Sequence, residues 1–466
     1  MVFAAFVLSS LSSCDESVDL TNVDESAYTT SKDAVAYVMN SQGKRSAAFV
    51  ELRDEAQSEL FLALSKNAET DVQGVFSYNA EVLKAYNTAN ETNYDLFPQE
   101  LVAFEGDLKI TKGNKKSANV AVKLKTAAGL DAEKTYVVPV STQLNSGNIK
   151  LSEDESSYLI FVKDLSGVAD CSKPNGVKIV SCMEVNDTNP LNNLCFRLEG
   201  SGQPLVDIVV LFSANINYNV ETGRVYVHNN ENVQHLLDNR DKYLKPLQDR
   251  GMKVVLGILG NHDRSGIANL ADETARAFAQ ELKSVCDAYQ LDGVFFDDEY
   301  SKYQRPAPEG FVDPSVEAAA RLCYETNLAM PDKLVMNYVY GLLSSVPDVD
   351  GHKAGTFVDY ALHDYLRSYS LEKKYPGMPK SKMALYSQEY NLGRWARKAN
   401  LEEMRDADYK THMIFAMDPT RDNYARQKQS MDEIADVFFG AKLEVFGKDG
   451  VKMDKLDQDQ FYKKDW

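Results

Sequence analysis

The sequence predicts an α/β protein: a TIM-type (β/α)8 barrel preceded by a small, mostly-β sandwich domain. Three observations carry this. From about residue 176 to 440, eight short β-rich runs alternate with longer amphipathic ones. From about 27 to 165, short apolar runs are separated by turn signals. The length, 466 residues, exceeds that of one average domain. A doubly wound sheet is the alternative architecture. The reading divides the chain into a signal and tether at 1–26, a β-sandwich at 27–170, the barrel at 171–445 and a tail at 446–466.

Residues 2–13 read VFAAFVLSSLSS and are followed by Cys14. The run is too short to span a membrane, and its form resembles a bacterial lipoprotein signal cleaved before a lipidated cysteine. No Lys or Arg precedes Cys14, so the start at Met1 is expected to be truncated. The acidic stretch DESVDLTNVDES that follows reads as a flexible tether and resembles the export signal of Bacteroidetes surface lipoproteins. The expectation is an outer-membrane lipoprotein anchored through Cys14, at the cell surface.

In the second segment, Val120, Val122 and Leu124 interleave with Asn119, Ala121 and Lys123, as one face of a sheet requires. Helical pieces are expected around Ser31–Asn40 and Glu81–Asn87. The barrel strands are predicted at Leu194–Leu198, Asp207–Phe212, Lys253–Leu259, Gly293–Asp297, Leu334–Val339, Val358–Leu362, Met383–Ser387 and His412–Met417. Between the third and fourth, Ala275, Phe278, Ala279, Leu282, Val285, Cys286 and Tyr289 recur at helical spacing. The charged tail ending in Trp466 reads equally as a solvated extension or as a segment packed on the barrel.

Composition is that of a globular protein, 44% hydrophobic and 26% charged. A formal net charge of −18 argues against nucleic acid or an anionic membrane surface as partner. Cys195, Cys286 and Cys323 lie in apolar segments and read as buried thiols. Cys171 and Cys182 flank a Pro174-Asn175-Gly176 turn and are candidates for pairing. No CxxC pair or His/Cys cluster points to zinc.

The chemistry-bearing stretch is Leu291 to Tyr300, LDGVFFDDEY: a buried strand ending in three acids. Side chains alternate along a strand, so Phe295, Asp297 and Glu299 should face the barrel interior, and Val294, Phe296 and Asp298 the helices. In a TIM barrel, functional groups collect at strand C-terminal ends. Two carboxylates two residues apart couple, and in a partly dry pocket at least one keeps its proton near neutral pH. A protonated Glu299 is what a leaving glycosidic oxygen needs. No opposed carboxylate is evident as a direct nucleophile, which fits attack by the sugar's own N-acetyl oxygen, with Asp297 orienting it. On its own, such an acidic run also fits a solvated strand end or a divalent-cation site.

DGVFFDDEY resembles the active-site strand of glycoside hydrolase family 18, pattern DGxDxDxE. The blocks VYVHNNENVQHLLDN, PLQDRGMKVVLGILGNH, MPDKLV, VDYALHDY, SQEYNLGR and HMIFAMDP extend the likeness, in order, to the endo-β-N-acetylglucosaminidases of the Endo H and flavobacterial Endo F types. The resemblance implies Glu299 as general acid/base and Asp297 as the acetamide-orienting residue. It also implies cleavage between the two core N-acetylglucosamines of N-linked glycans, high-mannose or hybrid; no metal or organic cofactor is implied, and a monomer is expected. Phe295 departs from the family pattern, which has Asp there. We expect it to desolvate Asp297 and raise its pKa. The first 170 residues resemble the N-terminal domain that precedes glycan-processing domains in Bacteroides surface lipoproteins.

Further candidates sit at the other predicted strand ends: Asn215 and Asn217 after the second, Asn261 and His262 after the third, and Tyr300 beside Glu299. Tyr338 and Tyr340 end the fifth, and His363, Asp364 and Tyr365 the sixth. Of these last three, Tyr365 is favoured as the contact to the oxazoline. Gln388 ends the seventh, and Met417 and Asp418 the eighth. Rings suit stacking on sugar faces and amides suit sugar hydroxyls. A chitinase is the nearest rival, disfavoured because only Trp395 and Trp466 exist to line a groove. A non-catalytic glycan-binding lipoprotein is the other, disfavoured because both acids are present.

Overall fold

The computed structural model describes residues 34–145 and 149–466. The signal and tether at 1–26, with the lipidation site expected at Cys14, lie outside the described residues. Among the described residues no helix is long and apolar enough to cross a membrane.

The N-terminal part is a sandwich of two sheets. One holds, in spatial order, Ile149–Leu151, Ala34–Asn40, Glu55–Leu64, Val120–Lys125 and Val102–Glu105. The other holds Ala47–Leu52, Ser157–Asp164, Thr135–Leu144, Val72–Tyr78 and Leu108–Ile110. The expected helix around Ser31–Asn40 is corrected: 34–40 is a strand. Ala36 and Val38 are buried with period two and pair against Glu55–Leu64. The helix expected at Glu81–Asn87 is present as Ala80–Ala89, started by the Asn79 side chain accepting from Glu81 N. It covers the outer face of the second sheet, where Leu83 meets Val137, Leu159 and Phe161. The inner residues of the same strands, Val138, Val140, Ile160 and Val162, fill the sandwich core.

The barrel closes from eight parallel neighbours: Lys178–Glu184, Ile208–Asn219, Lys253–Gly260, Gly293–Asp297, Leu334–Val339, Tyr360–His363, Met383–Ala384 and Thr411–Phe415, which returns to the first. One predicted strand is wrong. Leu194–Leu198 is not the first barrel strand. A 3-10 turn occupies Pro190–Cys195, and Phe196–Leu198 pairs antiparallel with Leu443–Val445 outside the barrel. The first strand is Lys178–Glu184. The second is longer than predicted: it carries a bulge between Leu211 and Ala214 and forms a hairpin with Arg224–His228.

Inside the barrel lie Val180, Val210, Val255, Phe295, Met336, Leu362 and Met413. Outside, Ile179, Val209, Val254, Val294, Phe296 and Ile414 meet the helices. Asp272–Ala288 buries the predicted face, with Ala275, Phe278, Ala279, Leu282 and Cys286 inward. Cys171 and Cys182 are not paired. Cys182 sits within the barrel, and the Cys171 thiol donates to the Gly251 carbonyl at 2.9 Å.

The sandwich packs on the end of the barrel where strands begin. Glu51 meets Lys253 at 2.5 Å, Thr135 Oγ1 donates to Asp332 Oδ2 at 3.0 Å, and Glu155 meets His352 at 3.6 Å. A cleft of about 940 Å³ between the two parts is lined by Tyr86, Glu155, Tyr324 and His352. At the opposite end, where strands finish, Tyr300 and Tyr340 are exposed. The tail folds back: Phe461 is fully buried between the rings of Phe196 and Tyr424, and the Trp466 indole stacks on His235 and donates to Asn232.

Candidate active site

The site is built on Gly293–Asp297. At its base a Cβ on Gly293 would collide with the backbone of Leu334, so only glycine lets the two strands approach. Asp292 beside it accepts from Val254 N and faces Lys253, which holds its carboxyl below the usual range. Over the next three residues, the alternation delivers the predicted split. Phe295 is in the interior layer, and Val294 and Phe296 are in the helix-facing one.

Asp297 is 3% exposed, and its Oδ1 has no hydrogen-bond partner. Burial pushes its pKa well above the usual range, and the Glu299, Asp298 and Asp364 charges push it the same way. Phe295, directly below on the same face, belongs to the apolar layer that dries this position. Glu299 is half-buried. Its pKa is raised by burial first, then by Asp364 and Asp298. The strand end thus holds a carboxyl that keeps its proton at higher pH than usual, beside a buried acceptor with an open lone pair.

Around this pair, the fifth and sixth strands contribute Tyr338, Asp364 and Tyr365. Asp364 Oδ1 accepts from Tyr338 Oη and from Tyr365 N, both at 2.6 Å. Tyr340 stacks on Tyr338 at 5.8 Å between ring centres. Tyr365 packs between Tyr338 and Phe415, and Phe415 reaches Phe212, giving a continuous aromatic wall. On the other side, Asn215 donates to the carbonyls of Leu259 and Gly260, and Asn261 donates to Asn217 Oδ1 at 3.1 Å. His262 and Tyr300, both left-handed in backbone, meet ring to ring at 5.5 Å. Among the described residues no group of three or more His, Cys, Asp or Glu could hold a metal ion.

Four predicted site residues are not placed with the pair. His363 shares the outer face with Ala361 and packs against Tyr369, and burial lowers its pKa to about 4. Gln388 faces the helices: its amide meets His412 and accepts from Ala396 N and Ser430 Oγ. Met417 lies in the helix-side core. Asp418 is spent on its own turn, accepting from Thr420 and pairing with Arg421. Two acids were missed. Glu184 ends the first strand on the inward face shared by Val180 and Cys182. Glu389, 2% exposed, follows the outward Gln388 and its charge acts on Tyr365. Burial raises the pKa of both. Counting alternate positions back from the strand ends is the signal that finds them.

Comparison with known proteins gives a consistent set of likenesses. Residues 23–149 match a family model described as an N-terminal domain. Over 295 residues, 63% of this chain and 87% of the relative, the sequence is 58% identical to endo-β-N-acetylglucosaminidase F1 of Elizabethkingia meningoseptica. Over 211 residues, 45% of this chain and 65% of the relative, it is 35% identical to an endo-β-N-acetylglucosaminidase of Flavobacterium sp. (strain SK1022). The structure is similar to that of Bacteroides thetaiotamicron EndoBT-3987 with Man5GlcNAc product. The TM-score is 0.81 at 36% identity, over 90% of this chain and 99% of that one. A second structure of that protein, in complex with Man9GlcNAc2Asn substrate, matches over the same shares with a TM-score of 0.75 at 35% identity.

Proposed function

Because the chain belongs to the endo-β-N-acetylglucosaminidases, which are glycoside hydrolases, we propose that it cleaves the β-1,4 bond between the two core N-acetylglucosamines of N-linked glycans, with retention. The glycans are high-mannose or hybrid, a reading supported by the mannose-rich ligands bound to EndoBT-3987. The observation that carries the chemistry is the pairing of a proton-retaining Glu299 with a buried Asp297 whose Oδ1 is unpartnered.

Glu299 gives its proton to the glycosidic oxygen as the bond from that oxygen to the anomeric carbon breaks. The acetamide oxygen of the same sugar attacks the anomeric carbon from the opposite face, forming a bicyclic oxazolinium ion. Asp297 accepts the acetamide N–H on its open Oδ1, in a site that excludes water, and so orients the acetamide for attack. Tyr365 and Tyr338 bound the acetamide on the far side. Water then adds to the anomeric carbon, Glu299 takes its proton, and the oxazoline ring opens with the original configuration. Asn215, Asn261, His262 and Tyr300 contact hydroxyls and ring faces at the rim.

A chitin groove is disfavoured further by the two tryptophans. Trp395 packs on Tyr390 and Trp466 on His235, so neither stands free as a stacking platform beside the carboxylates. Proton NMR of the freshly released glycan tests the mechanism: the β-anomer at the new reducing end should form first. Appearance of the α-anomer first would rule out the substrate-assisted route.

The apolar run ending in Cys14 supports an outer-membrane lipoprotein facing outward. Incorporation of labelled palmitate, lost in Cys14→Ala, tests the anchor.

A further inference from the structure

Between the two inward acids, Asp298 points the other way and is buried. Its Oδ1 accepts the phenolic hydrogen of Tyr303, and its Oδ2 accepts Leu342 N at 2.8 Å. The Tyr303 oxygen in turn accepts Ala268 N at 3.2 Å. One carboxylate therefore ties together the segments that follow three successive barrel strands: the third through Ala268, the fourth through Tyr303, and the fifth through Leu342. Each of these segments carries a rim residue of the mouth, namely His262, Tyr300 and Tyr340. Neighbouring backbone bonds, His262 N to Tyr300 O and Lys302 N to Asp263 O, join the first two segments along their length. Gly341 has a left-handed backbone, and a Cβ there would lie 2.7 Å from Asp298 Oδ2. Glycine at 341 is what lets the carboxylate reach Leu342 N.

We propose that Asp298 is a positioning residue for the reaction, clamping the rim segments of the third, fourth and fifth strands around Glu299 through Tyr303 and Leu342. This rests on the glycosidase reading above. The clamp works by geometry: small misplacement of groups that orient a substrate is enough to lose about a hundredfold in rate. Its charge adds a second effect, since Asp298 and Asp364 are the acids whose charges help Glu299 keep its proton.

The test uses the full chain with Asp298→Asn, Tyr303→Phe and the double variant, on a neutral N-glycopeptide. Each single variant should lower kcat/KM about ten- to hundredfold. The double should fall no further than the worse single, because both break one clamp. Asp298→Asn should also move the basic limb of the pH profile to lower pH, and Tyr303→Phe should not. Multiplicative losses overturn the proposal, as do wild-type kinetics in a folded Tyr303→Phe enzyme. Hydrogen exchange gives a readout independent of turnover. Amides in 261–270, 300–311 and 341–345 should exchange faster in both single variants, and unchanged exchange overturns the clamp even if the chain cleaves a different glycan.

Discussion

At the scale of single residues, burial raises the pKa of two carboxyls two positions apart, Glu299 and Asp297. Glu299 must hold a proton to start the reaction, so activity falls as pH rises through its raised pKa. Asp364 is one of the charges that raises it. Asp364→Asn should therefore shift the basic limb of kcat/KM to lower pH, which a pH–rate series checks. Asp297 is buried, with its folded-state pKa above the unfolded value. Its contribution to stability is complete below the ordinary carboxylate range and is lost as pH rises towards the folded pKa, because only the unfolded chain ionises freely. Asp297→Asn removes that loss. Thermal melts should show the variant more stable than wild type at pH 8 and equal at pH 4, with about 1.4 kcal/mol for each unit separating the two pKa values. Both acids were legible in the sequence because the apolar run before them fixes their parity. His363, Gln388 and Met417 were misjudged for the same physical reason in reverse. Their strands are short, two to five residues, and a one-residue error in where a strand ends turns every side chain to the other face. Glu389, beside Gln388, is the acid that faces inward.

At the scale of elements, long helices with a continuous apolar face were legible, and short strands were ambiguous about which sheet they join. Leu194–Leu198 has the apolar character of a barrel strand, yet the turn Pro190–Cys195 before it redirects the chain to pair with Leu443–Val445. Lys178–Glu184 is faint in the sequence because Ser181, Cys182 and its charged ends weaken the apolar signal, although burial inside a closed barrel tolerates them. In the helix layer, Val316–Ala329 starts from Ser315, whose hydroxyl accepts Ala318 N at 3.1 Å. Ser315→Ala should lower unfolding free energy by about 1 kcal/mol and leave kcat unchanged, as denaturant melts and steady-state kinetics would report.

At the scale of the whole molecule, the sandwich covers the end of the barrel where strands begin, and Tyr300 and Tyr340 at the other end stay exposed. Which end it would cover was not legible, because that depends on ion pairs and hydrogen bonds between residues as distant as Glu51 and Lys253. The tail was equally open in sequence, and it proves to be part of the core. Phe461 closes the layer around Phe196 and Tyr424. Phe461→Ala should destabilise the chain by about 3–5 kcal/mol, seen as a lower denaturant midpoint.

The mouth built around Glu299 and Asp297 should remove N-glycans at their chitobiose core. Intact mass of a high-mannose glycoprotein after incubation with the chain tests it most directly, beside a Glu299→Gln control slowed about a thousandfold. Each site should retain a single N-acetylglucosamine with the wild type and its full glycan with the control. An unchanged mass with the folded wild-type chain, or equal cleavage by the control, would contradict it.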